Sequence, residues 1–184
     1  MLKTILHNQL KAFEKTWGYD ATYMHEMLDT DLAGFLRFSI VSALAHPKGA
    51  PPAALAAAGI TATMAEDCGP CTQIGVDMAA KGGVPAAVLR AVLAGDEAAM
   101  GRDAALGYGF AKAVLARDLE ASDALRDEVV RRWGRRGVTA LGFALAGTRL
   151  FPTMKYAMGH GRACSRIVVE GQAAPLKHPE PLAA

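Results

Sequence analysis

Only 21% of the 184 residues are charged, and the two signs nearly cancel, with 20 Lys and Arg against 18 Asp and Glu. Such a chain carries no one-signed field to draw in nucleic acid or an anionic membrane surface, so neither partner is expected. A long apolar run is also missing. The longest, Leu32 to Ala45, is interrupted by Arg37 and falls short of the roughly 20 residues that cross a bilayer. At the N-terminus an amphipathic pattern stands in place of a charged start, an apolar stretch and a small-residue cleavage site, so no secretory leader is read and a cytoplasmic location is expected. Cysteine is scarce. Three residues are too few for a secreted disulfide framework, and two of them are spaced Cys-x-x-Cys, which in a reducing compartment points to redox catalysis or metal. What the chain has in quantity is apolar side chain, 52% of all residues, enough to bury the core of a single domain.

Helix signals run along nearly the whole chain. Leu6, Leu10, Phe13 and Trp17 share one helical face, and Gly18 followed by Asp20 supplies a stop and then a new cap. A second segment, 21–45, breaks near Thr30 and Asp31 and is closed by the turn His46-Pro47-Lys48-Gly49. Pro51 and Pro52 suit the first turn of the next helix, and the stretch from Ala53 to Ala80 is interrupted only at Asp67 to Pro70. Gly82-Gly83 ends that stretch and Pro85 opens a short helix, with Asp96 and Asp103 as caps beyond it. Leu106, Phe110 and Val114 share a face, as do Leu125, Val129 and Trp133. No segment alternates with period two. Ile167, Val168 and Val169 could form a short strand, but one strand alone has nothing to pair with, so 166–170 is read as helix end or coil. Pro175, Pro179 and Pro181 mark the residues from Gly171 as an arm or disordered tail. The expected fold class is all-α, in one domain.

The informative segment is Glu66-Asp67-Cys68-Gly69-Pro70-Cys71-Thr72-Gln73. With Asp67 or Cys68 as cap and Pro70 in the first turn, both thiols meet the unpaired N–H groups and positive dipole end of a helix, which favour thiolate. One helical turn also brings the two alpha carbons within disulfide range, so Cys68 and Cys71 can close reversibly. The competing reading is a pair of small buried hydrophobes, to which a Gly-Pro insertion is poorly suited. Helix-end electrostatics predict the lower thiol pKa and the greater exposure for Cys68. Cys-Gly-Pro-Cys is also the thioredoxin dithiol, but there it follows a buried strand, whereas Ala-rich helix precedes it here.

In that helical setting the chain resembles the carboxymuconolactone decarboxylase and alkylhydroperoxidase D-like family. The likeness rests on a Cys-x-x-Cys at a helix start, an Ala-rich helix ending in Gly, and a short helix with a Gly-Asp end, seen here from Cys68 to Asp96. It implies an all-helical fold over 1–170 followed by a tail, 171–184, homo-oligomeric assembly, and reduction of hydroperoxides by the dithiol at the expense of a thiol electron donor. The family's proton relay uses a Glu about a dozen residues before the first cysteine and two histidines around the second. Ala56, Pro70 and Gly75 occupy those positions here, so only Cys68 and Cys71 carry over.

Other groups must then serve the thiols. Glu66, two residues before Cys68, is the first candidate acid or base, and Asp77, six residues after Cys71, the second. His160, in Gly159-His160-Gly161-Arg162-Ala163-Cys164, could fold over the dithiol in place of the relay histidine. The expected function is that of a thiol oxidoreductase or weak hydroperoxide reductase acting on a small molecule, with no cofactor and no metal. The alternative is a non-catalytic helical homo-oligomer stabilised by zinc on Cys68, Cys71, His160 and Cys164. Arg131, Arg132, Arg135 and Arg136 read as a solvated helix face balanced by Asp127 and Glu128, the methionines as core filler, and His7, His25, His46 and His178 as scattered.

Overall fold

A computed structural model describes residues 1–44, 48–161 and 166–177. The turn at His46-Pro47, Cys164 and His178 lie outside the described residues. Among those described, eight helices follow in order: α1 Leu2–Trp17, α2 Thr22–Thr30, α3 Leu32–Leu44, α4 Pro52–Ala65, α5 Gly69–Lys81, α6 Ala86–Ala94, α7 Arg102–Ala116 and α8 Leu119–Ala157. The all-α class is as read from the sequence, and most boundaries fall where its punctuation puts them. Gly18 closes α1 in the left-handed conformation at φ 59°, where a side chain is costly and glycine is free. Asp20 accepts from the Thr22 backbone N–H at 3.0 Å and so opens α2. Pro51 and Pro85 precede α4 and α6.

The centre is α4, packed chiefly against α7 and α8. Its alanines let neighbours approach on several sides: Ala54 and Ala58 join Leu106, Phe110, Val129 and Leu141 in one core, while Ala57, Ile60 and Met64 join Val76, Leu89 and Val92 in a second. Each fully buried Leu, Ile or Val there contributes about 1.5–3 kcal/mol relative to exposure. The expected faces of α7 and α8 appear, except that Val114 is exposed. A third core is built by α1–α3, where Leu10, Tyr23, Met27, Leu28 and Phe38 gather with Phe151 and Met154 of α8 and with Met158 at its C-terminal end. Long α8 is broken at Gly134, whose φ of 70° and ψ of −179° are not helical.

The C-terminal segment departs from the sequence reading. Val168–Val169 is a strand, β1, paired antiparallel with β2, Gln172–Ala173. Ile167 and Val169 are buried in the second core, and Lys177 N–H donates to the Leu93 carbonyl at 2.9 Å. The partner thought missing comes from the turn Glu170-Gly171, both at positive φ, which folds the chain back within what composition marks as an arm.

Candidate functional site

The α4–α5 junction is a tight turn held by backbone hydrogen bonds. Asp67 N–H donates to the Met64 carbonyl at 3.0 Å and Cys68 N–H to that of Thr63 at 3.3 Å. Asp67 itself sits at φ 51°, a left-handed conformation that Asp tolerates better than most residues. The Tyr156 hydroxyl of α8 donates into this turn, 3.0 Å from the Glu66 carbonyl oxygen and 2.9 Å from that of Asp67. Cys68 is the N-cap of α5, followed by Gly69 and Pro70 in the first turn, where proline's missing N–H costs nothing. The Cys68 carbonyl accepts from both the backbone N–H of Thr72 at 2.9 Å and its hydroxyl at 3.0 Å.

One turn apart, Cys68 and Cys71 have alpha carbons 5.2 Å apart and are joined as a disulfide. Both cysteines are buried, Cys68 at 5% exposure and Cys71 at 3%, so the expected order holds by only a narrow margin. The two sulfurs belong to different surroundings. Cys71 lines a cleft of about 900 Å³ between the α1–α3 layer and the α4–α5 pair, within the size range of small-molecule sites. Leu10, Phe13, Met24, Phe38, Ile60 and Met78 are among its walls, so it is predominantly apolar. Cys68 instead closes a narrow crevice with Pro70, Lys155, Tyr156, His160 and Gly161.

Lys155 is the residue that sequence reasoning missed. It is 2% exposed, and its Nζ has no hydrogen-bond partner among the described residues. The ammonium position lies 5.0 Å from the centroid of the Tyr19 ring and 5.9 Å from that of Tyr23, close enough for cation–π attraction. Burial holds its pKa below the usual lysine value, and the charge of Asp20 opposes that shift. Burial also raises the phenol pKa of both tyrosines, so neither offers an anion. The one sequence signal was positional: Lys155 lies on α8 between Phe151 and Met158, at helical spacing on an otherwise apolar stripe.

His160 stands in the wall of the same crevice, with Nε2 2.8 Å from Glu26 Oε2 of α2. Glu66 is turned to α8, where its carboxylate pairs with Arg149. Asp77 accepts from the Gln73 side-chain amide at 2.8 Å; burial raises its pKa, and that hydrogen bond acts the other way. Among the described residues no group of three or more His, Cys, Asp or Glu is gathered to hold a metal, and Cys164 of the zinc alternative lies outside them. The arginine cluster is as expected in part: Glu128 pairs with Arg131 and Arg132, while Asp127 lies 3.6 Å from Arg126. His7 and His25 are not scattered. Their rings stack with Nδ1 atoms 2.6 Å apart, and His7 Nε2 is 2.8 Å from Asp29, tying α1 to α2. No described helix is long and apolar enough to cross a membrane. No family model matches the chain, and neither the curated proteins nor the solved structures include one that matches it significantly.

Proposed function

We propose that this chain is a thiol–disulfide oxidoreductase, with Cys68 and Cys71 cycling between dithiol and disulfide and an apolar small molecule reaching Cys71 through the cleft. The observation that carries this reading is the position of one disulfide between two unlike surroundings: its Cys71 end opens on about 900 Å³ of apolar cleft and its Cys68 end on a crevice with Lys155 and His160. A disulfide serving only as a staple gains little from a loop this short. With a hydroperoxide, one thiolate attacks the outer peroxide oxygen and releases an alcohol. The second thiol then displaces hydroxide from the resulting sulfenic acid, giving the disulfide and water. A donor thiol restores the dithiol. An alkylhydroperoxidase D-like homo-oligomer remains the family and assembly that the sequence resemblance favours.

The test is redox equilibration in glutathione buffers, read as the mass of alkylated protein, followed by oxidation with cumene hydroperoxide. The expected outcome is a reversible transition confined to Cys68 and Cys71, with Cys164 alkylated throughout, and consumption of peroxide that Cys71→Ser abolishes. A pair that stays oxidised in every buffer and leaves peroxide untouched would make the bridge structural and end this reading.

A further inference from the structure

A lysine in a buried site is stable as a cation only if something compensates the water it has lost, and several kcal/mol are at stake when nothing does. Lys155 has little compensation while the disulfide is closed. Among the described residues the groups facing it are few: the rings of Tyr19 and Tyr23 beneath it, Asp20 acting at longer range and already bound to Thr22, and across the crevice His160 with its partner Glu26. The Glu66 carboxylate, next to the crevice in sequence, is engaged by Arg149. The residue that lines the same crevice as Lys155 and gains a charge during the redox cycle is Cys68.

We infer that Lys155 is the charge partner of Cys68: its ammonium holds that sulfur as a thiolate when the disulfide opens, which makes Cys71 the sulfur attacked from the cleft. This rests on the oxidoreductase reading. In the reducing direction a donor thiolate enters the cleft and bonds to Cys71 Sγ. The Cys68–Cys71 bond breaks, and its electron pair leaves on Cys68 Sγ, beside Lys155 and at the N-terminus of α5. A second donor thiolate attacks the donor sulfur of the mixed disulfide, releasing oxidised donor and Cys71 as thiolate, which takes its proton from solvent. The leaving thiol with the lower pKa departs faster, so a cation on the Cys68 side sets the direction of attack as well as the rate. Lys155 gains as well. In the oxidised protein its burial disfavours charge; in the reduced protein the thiolate supplies the missing anion, so opening the bridge draws one proton onto the amine.

The two ends of the bridge can be read separately. In Cys71→Ser, where Cys68 is the lone member of the pair, ultraviolet thiolate absorbance titrates well below the ordinary thiol value of about 8.5, and adding Lys155→Met raises the midpoint by about one pH unit or more. Lys155→Arg, which keeps the charge, restores most of the depression. In Cys68→Ser the same lysine changes leave the Cys71 midpoint where it was. The wild-type protein gives an independent reading if the methionine variant does not fold: with lysine labelled by ¹³C at Cε, one Cε resonance titrates at higher pH after the disulfide is reduced. A Cys68 midpoint indifferent to Lys155, an equal response at Cys71, or a Lys155 resonance unmoved by reduction would overturn the inference. If these titrations appear and no thiol exchange does, the oxidoreductase reading fails and the charge pair stands; exchange without them has the opposite meaning.

Discussion

Gln73 and Val168 exchange two hydrogen bonds, the Gln73 side-chain amide donating to the Val168 carbonyl at 3.0 Å and accepting from the Val168 N–H at 2.7 Å. A side chain of α5 thus does for the edge of β1 what a further strand would do, two residues beyond Cys71 in the chain. Arg90 adds a donor to the Val169 carbonyl at 2.7 Å. Replacing Gln73 with Leu leaves a partly buried N–H and C=O unpaired, which costs about 1–3 kcal/mol. The expected result is a lower urea midpoint together with faster amide exchange at 167–174. Exchange there equal to wild type would mean the hairpin is held by Ile167 and Val169 burial alone.

How much of this was legible in the sequence divides along physical lines. The α4–α5 junction was readable because Gly69 and Pro70 inside the Cys-x-x-Cys force a helix start, and the α2–α3 break because Asp31 stands between two apolar stripes. The hairpin was not, since a strand of two residues shows no period and its second partner is a glutamine side chain. Lys155 was not, since one lysine among Phe151, Met154 and Met158 looks like any solvated helix position until α1–α3 is laid over it. The cleft depends on that same packing of distant segments. The break at Gly134 is hidden because a single glycine inside a helical pattern, here between Trp133 and Arg135, is ordinarily tolerated.

Gly107 and Gly109 are indistinguishable by sequence pattern and unlike in the fold. A Cβ on Gly107 would lie 2.2 Å from the Ala54 carbonyl oxygen, whereas one on Gly109 would meet Leu125 at an ordinary 3.7 Å. The α4–α7 contact can accept neither atom overlap nor much separation, because both partners there are backbone. Gly107→Ala is expected to destabilise by about 1–3 kcal/mol. Gly109→Ala should be neutral or slightly stabilising through helix propensity, by up to about 1 kcal/mol. Chemical denaturation of the two variants side by side checks the contrast.

Asp77 gives a pH signature with a definite sign. Burial raises its folded-state pKa above the unfolded value, so between the two the native protein binds more protons than the unfolded chain. Stability therefore falls as pH rises through that window and recovers as pH drops. Asp77→Asn removes the buried charge while keeping a partner for Gln73. Its stability should match or exceed wild type at neutral pH, and the slope of stability against pH in the carboxylate range should become more positive. A variant less stable than wild type at neutral pH would contradict the sign.

Helix α3 is apolar on nearly every side, and Leu36, Ile40 and Val41 remain exposed at 42%, 65% and 41% beside buried Phe35 and Phe38. An apolar outer face of that kind is ordinarily covered by another surface. Self-association, implied by the family resemblance, predicts a light-scattering mass above the 19.3 kDa chain at micromolar concentration and a lower mass for Ile40→Glu. A monomer in both would remove this support for the resemblance.

Gly75 allows the peroxidase branch of the resemblance to be tested by gain instead of loss. It lies one turn after Cys71 on α5, at the position of a relay histidine in that family, and lines the apolar cleft. A Cβ added there would meet only Ile60 Cγ1, at 3.7 Å, and its φ lies outside the left-handed region, so a side chain can be introduced without strain. An imidazole at this point would stand at the Cys71 end of the bridge, where no histidine or carboxylate is among the described residues that line the cleft. General acid–base assistance is worth about 10²–10⁴-fold when well placed, and a histidine grafted without its supporting contacts should realise only part of it. Gly75→His is therefore expected to speed oxidation of the reduced protein by cumene hydroperoxide at least about tenfold, with a pH profile bearing a new inflection near the ordinary histidine range. Gly75→Leu fills the same space without a base and should slow cumene hydroperoxide while sparing hydrogen peroxide. If histidine and leucine slow the reaction alike, the cleft is a passage to Cys71 but not a place where a relay can work, and the peroxidase branch of the resemblance loses its support.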